Sequence, residues 1–258
     1  MSHRAASEWD ALARECDAWA ERGRRIDLWW RDDDAVADTP ALRRLVELAS
    51  RPLAPVPIAL AVIPASLEAS LPAAIESRQS VSVLQHGFAH RNQAPAGGKK
   101  SEFPGSRPWA EVAADLVQGR DRLAAAFGAR FVPVLTPPWN RIDKAHGSRL
   151  AELGYRGLTT YLARTAAPVG IGQVNTHVDV IDWHGSRGFV GLPAALALLV
   201  GHLAAKRTGK ADPGEPTGVL THHLVHDTET WAFLGELLDW CAKRPNVEWQ
   251  SAADLFPE

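Results

Sequence analysis

Residues 84–92, LQHGFAHRN, place two histidines, His86 and His90, directly after an apolar run at 81–85 that has the length of a buried strand. Four residues apart, the two rings can lie on one side of a single turn and meet at one point. A histidine pair alone does not make a useful divalent-metal site. It needs at least a third protein ligand and an open position for water or substrate. The rest of the chain is therefore asked which segments deliver that ligand.

Short apolar runs alternate with helical patterns along the whole length. Strands are predicted at 26–31, 56–63, 80–85, 131–135, 155–160, 177–182, 218–222 and 247–250. Helices are predicted between them, at 39–51, 65–76, 109–127, 143–153, 193–206 and 228–244. Thr39 followed by Pro40 supplies an N-cap and an N1 proline, and Asp227 with Thr228 caps the last long helix. This alternation implies parallel strands with crossover helices, in a barrel or an open sheet. No linker divides the chain, so 1–258 reads as one domain, with 1–25 a helix packed on the outside.

Composition narrows the function. With 46% hydrophobic and 22% charged residues the chain is ordinary globular material, long enough for one large α/β core. A net charge of -2 gives no global field for nucleic acid or an anionic membrane. No apolar run approaches the roughly 20 residues of a membrane span. The N-terminus has charges throughout and no signal-peptide core, and Cys16 and Cys241 lack CxxC spacing. Two buried free thiols and a cytoplasmic location are expected.

Polar residues gather where the strands end. The first strand runs into Arg31, Asp32, Asp33 and Asp34, and the third into His86 and His90. The fourth runs into Thr136–Asn140 (TPPWN), the sixth into Asp182 and Trp183, and the seventh into His222 and His223. In parallel α/β folds the C-terminal strand ends share one face, which carries the active site. His86, His90 and one aspartate of the triplet make a two-histidine, one-carboxylate set suited to zinc or a similar ion. A second aspartate can serve as general base, and a late histidine can protonate a leaving group. The irregular stretch 91–108 follows the histidines and is expected to border the site as a lid or binding loop. Trp30, Trp139 and Trp183 fall near the rim, where indoles can stack on a sugar ring; core packing is the alternative.

In the order RDDDA (31–35), HGFAH (86–90), TPPWN (136–140), DVIDW (179–183) and VLTHH (219–223), the sequence resembles the polysaccharide deacetylases, metal-dependent carbohydrate esterases acting on chitooligosaccharides and peptidoglycan. The resemblance implies a distorted (β/α) barrel of seven to eight strands. It implies a divalent metal, most simply zinc, on Asp34, His86 and His90, with Asp33 as base and His222 as acid. Asp32 stands as the alternative base and His223 as the alternative acid, with Asp182 the carboxylate partner of His222. Pro138, Trp139, Asn140, Asp182 and Trp183 would bind substrate, a carbohydrate or a small N-acyl compound. Thr136 stands where the family has an arginine that orients the base, and Asn140 where it has a glycine; Arg31 or Arg141 is the candidate replacement. Ala35 replaces the glycine that follows the aspartates. The activity implied is acyl removal from an N-acylated sugar. The alternatives are hydrolysis of a small C–N substrate such as a cyclic ureide, or a carbohydrate-binding relative without turnover.

Overall fold

The structure is a computed structural model; it describes residues 3–50, 55–164 and 170–258, with side chains from residue 8 onward. Its centre is β1 (Ile26–Ala35), buried on both faces. On one side lie β2 (Ile58–Val62), β3 (Val81–His86), β4 (Phe131–Thr136), β5 (Gly157–Leu158) and β6 (Gly172–Gln173). On the other lie β8 (Thr217–Thr221) and then β7 (Val178–Asp179), while β9 (Val247–Trp249) pairs with the first residues of β1. Every pairing is parallel. The sheet curls into a distorted (β/α) barrel, so all its C-terminal strand ends face one way.

One extended segment, 172–180, joins the two edges. Its first half bonds to the β5 side, through Val174 N to Leu158 O and Thr176 N to Thr160 O. Its second half bonds to β8, through His177 N to Gly218 O and Val180 N to Leu220 O. Trp29 fills the barrel beside this seam with Ala59, Leu84, Val132, Val134 and Phe256, and its indole N–H donates to Asn175 O at 2.8 Å. A side chain at Gly218 would overlap the Trp29 indole and the backbone of Asn175 and Thr176. Only glycine lets β8 approach so closely.

Helices cover the outside. α1 (His3–Ala20) packs on α6 (Leu192–Arg207). α2 (Pro40–Ala49) starts at Thr39, whose hydroxyl accepts from Leu42 N; the last residue of the predicted helix, Arg51, lies outside the described residues. α4 (Trp109–Phe127) has the predicted limits, and α7 (Thr228–Cys241) is capped by Asp227. The helix predicted at 65–76 is split: a turn at Pro64–Ser66 precedes α3 (Ser70–Ile75). Pro72 is the cause, because proline fits only the first turn and the helix must begin just before it. The helix predicted at 143–153 also shortens, to α5 (Lys144–Gly147), with Asp143 as its cap. α8 (Ala252–Leu255) precedes Phe256, which packs in the barrel. β6, two residues without an apolar run, had no sequence signal to find it. Trp30 is packed outside the barrel in the helix-covered core, bonded to Thr221, and so is no sugar platform. Cys16 and Cys241 are both buried and unpaired, with burial raising both thiols and Cys16 to about 12. No helix among the described residues is long and apolar enough to cross a membrane.

The seam sets a stability test. Gly218→Ala should lower the midpoint of urea unfolding, because the added methyl meets Trp29 and the backbone of Asn175 and Thr176. Equal midpoints for Gly218→Ala and wild type would show that the close approach is not required.

Candidate metal centre and active site

Strand parity sorts the aspartate triplet. Alternate side chains of β1 point to opposite faces, so Trp29, Arg31 and Asp33 turn into the barrel while Trp30 and Asp32 turn to the helices. Asp32 is fully buried there. It accepts from Thr221 Oγ1 (2.6 Å) and His223 N (3.0 Å) and pairs with the His223 ring. Burial opposes its charge, but His223 outweighs burial and lowers its pKa, while Asp32 in turn raises His223 against burial. The pair takes up Asp32 and the Nδ1 side of His223, and Asp32 lies on the face of β1 opposite to Asp33.

Asp34 escapes the alternation. The β1–β2 register slips between Asp32 and Ala35, and Asp34 takes φ 71°. This turns its carboxylate to the same opening as His86, at the end of β3, and His90. Asp34 Oδ1 lies 3.1 Å from His86 Nε2 and 3.5 Å from His90 Nε2, and the three donors fall within 4.8 Å of one another. His86 Nδ1 is 2.9 Å from the Thr136 carbonyl, which can only accept, so Nδ1 carries the ring proton and Nε2 faces Asp34 with its lone pair. Asp34 Oδ1 is buried without an aligned hydrogen bond. Facing lone pairs from two rings and a carboxylate fit a divalent cation. Burial works against charge on Asp34 and on His86, yet His86 lowers the pKa of Asp34, and Asp33 with Asp34 raises that of His86.

The turn that presents the histidines is anchored from the loop at 91–108. Glu102, fully buried, accepts from Phe88 N (3.0 Å) and Ala89 N (2.8 Å), one to each oxygen. Burial raises its pKa against these bonds. Gly87 has φ 58°, and a side chain there would overlap Glu102 and Pro138. Phe103 is buried and bridges to Ile142, so the second half of the loop is a strut under the site, while its tip at 95–100 is exposed. The stretch expected to border the site as a lid or binding loop thus meets it through Glu102.

Beside these three donors, Asp33 is gripped by Arg31, Nε to Oδ1 at 2.8 Å and Nη2 to Oδ2 at 3.0 Å. His222 Nε2 lies 3.9 Å from Asp33 Oδ2. Asp182 does not serve His222: its carboxylate accepts from the amides of His184, Gly185 and Ser186 in its own turn. Besides Asp33, Asp179, the first residue of the DVIDW motif, is in electrostatic reach of His222; burial raises its pKa and His222 opposes this. Trp183, 37% exposed, donates from Nε1 to Asp179 (2.9 Å) and meets His222 edge-on at 4.6 Å. Trp139 leans on His90 at 4.7 Å, and Asn140 accepts from Arg31 at 2.8 Å. Pro138 is buried beside Gly87 rather than open to a ligand. A cleft of about 490 Å³ continues from Asn140 past Arg141, Lys144 and Thr160. Arg141 itself points to the Lys100 carbonyl, away from Asp33.

A second three-donor group, His177, His202 and Glu215, lies by the opposite ends of β7 and β8. His177 Nδ1 accepts from Gly218 N at 3.0 Å, which leaves its proton on Nε2, 3.5 Å from Glu215. His177 therefore has no lone pair left to offer an ion.

The His86–His90 turn gives a test. Glu102→Gln sets an NH₂ group against one backbone N–H, and Gly87→Ala forces the turn out of shape. Each should weaken zinc binding, measured by calorimetric titration, by about 10–100-fold. Unchanged affinity in both would show that the turn does not position the ligands.

No protein-family model matches the sequence, and no curated protein matches it significantly. Solved structures do match in fold. The peptidoglycan N-acetylglucosamine deacetylase Bc1960, in complex with an N-oxidanyl-benzamide, gives a TM-score of 0.59 at 14% identity, over 90% of this chain and 88% of that one. A chitin deacetylase from Colletotrichum lindemuthianum gives 0.55 at 16% identity, over 91% and 89%. A family 4 acetyl xylan esterase from Clostridium thermocellum, in complex with a cobalt ion, gives 0.52 at 13%, over 89% and 90%. The resemblance carried by five short motifs thus extends to three dimensions: the chain has the fold of the polysaccharide deacetylases and acetyl xylan esterases.

Proposed function

We propose that this chain is a metal-dependent deacetylase that removes an acetyl group from an N-acetylated sugar, with zinc held by Asp34, His86 and His90. The observation that carries this reading is the convergence of those three donors beside Asp33 and His222, on the face where the strands end. The fold neighbours named for acetylated sugars support the substrate class. The buried unpaired thiols fit a cytoplasmic, reducing compartment.

When bound, the ion supplies Lewis acidity that polarises the acyl carbonyl and brings the pKa of water towards neutrality. The residues of the chain move the protons. Asp33, its carboxylate fixed by Arg31, takes the proton of the attacking water. His222, across the opening at 3.9 Å and flanked by Asp179 and Trp183, gives a proton to the departing amine. The open indole of Trp183 offers a platform for the sugar ring.

Acetate release by the zinc-loaded chain from N-acetylglucosamine oligomers, peptidoglycan fragments and acetylated xylan tests this. N-acetylated substrates should be turned over, and chelation should abolish turnover. Asp33→Asn and His222→Ala should keep fold and metal while kcat falls by about 10²–10⁴-fold. Near-normal kcat in both variants would remove the proposed base and acid.

A further inference from the structure

Thr136 occupies the place where an arginine was expected, yet Asp33 is not without one. Arg31, two residues earlier on the same strand, is completely buried. Residues i and i+2 share a face of a strand, so its guanidinium turns into the barrel alongside the Asp33 carboxylate. All five of its N–H donors are used. Nε and Nη2 chelate the two Asp33 oxygens at 2.8 and 3.0 Å, and the second Nη2 donor reaches Asn140 Oδ1 at 2.8 Å. Nη1 donates to Thr159 Oγ1 at 2.9 Å and to the Thr160 carbonyl at 3.2 Å. Thr136 Oγ1 is buried without a hydrogen-bond partner, so it takes no part in holding the carboxylate.

We propose that Arg31 is the positioning residue of the base in this chain. Its fork sets the plane and direction of Asp33, and Asn140, Thr159 and Thr160 clamp the fork from the segments that follow β4 and β5. A planar guanidinium with every donor matched has one orientation, and the bidentate contact passes that orientation to the carboxylate. The second oxygen of Asp33 is thereby left facing His222 Nε2. Lysine cannot replace this arrangement, because an ammonium is a point donor that does not chelate two oxygens in one plane. Asn140 has its own part: at φ 56° its backbone turns the side chain back into the barrel, where it orders the Nη2 donors. The inference rests on Asp33 being the base of the deacylation.

A double-mutant cycle separates positioning from support of the fold. Steady-state kcat and KM for acetate release are measured on the zinc-loaded full chain, in wild type, Arg31→Lys, Arg31→Gln, Asp33→Asn and Arg31→Gln with Asp33→Asn. Arg31→Lys and Arg31→Gln should each lower kcat by about 10²-fold with KM within about two-fold and zinc content unchanged. In the Asp33→Asn background, Arg31→Gln should cost nothing further. If Arg31→Gln does not fold, Arg31→Lys takes its place in the cycle. Wild-type kcat in Arg31→Lys, or a full multiplicative loss in the double variant, would overturn the proposal while leaving the deacylation reading intact. Absence of acetate release by the wild type would overturn both.

Discussion

The site depends on the two-residue period of β1 and on the single slip that breaks it. Three consecutive aspartates would otherwise point out, in and out, and no two neighbours could serve one centre. Asp33 follows the period into the barrel and Asp32 follows it out to His223. The slip between Asp32 and Ala35, with Asp34 at φ 71°, brings a second carboxylate to the opening beside the first. Asp33 and Asp34, adjacent in the chain, share one opening only because of this irregularity.

Backbone strain gathers at the same place. Of the six described non-glycine residues with positive φ, Asp34, His90, Trp139 and Asn140 all belong to the site. Each such conformation costs of order 1–3 kcal/mol and persists only where the surroundings enforce it. The enforcing contacts are visible. Glu102 holds the amides of the His86–His90 turn, Arg31 holds Asn140, and Trp139 is seated on the His90 ring. The barrel is regular where it only has to pack and irregular where it has to gather donors.

Much of this was legible in the sequence. Apolar runs ending in polar clusters marked the strands and their functional ends, and the aspartate and two histidines singled out there are brought together. What escaped reading was set by contacts distant along the chain or by a choice of face. Both faces of β1 are buried, so its pattern could not say which aspartate looked inward. Asp182 ends its apolar run and so reads as a partner for His222, yet the following His-Gly-Ser makes it a turn residue whose carboxylate caps its own amides. Glu102 lies in a stretch without periodicity and shows its role only once the loop folds under the turn. Helix limits failed where Pro72 forbade a continuous helix and where α5 gave way to a separate 3₁₀ turn at Leu150–Leu153.

The central claim is that Asp34, His86 and His90 hold one divalent ion. Anomalous diffraction from crystals grown with zinc, collected at its absorption edge, tests it most directly. One strong peak about 2.0–2.2 Å from Asp34 Oδ1, His86 Nε2 and His90 Nε2 is the predicted result. A fully occupied ion elsewhere, with these three donors left uncoordinated, would contradict it.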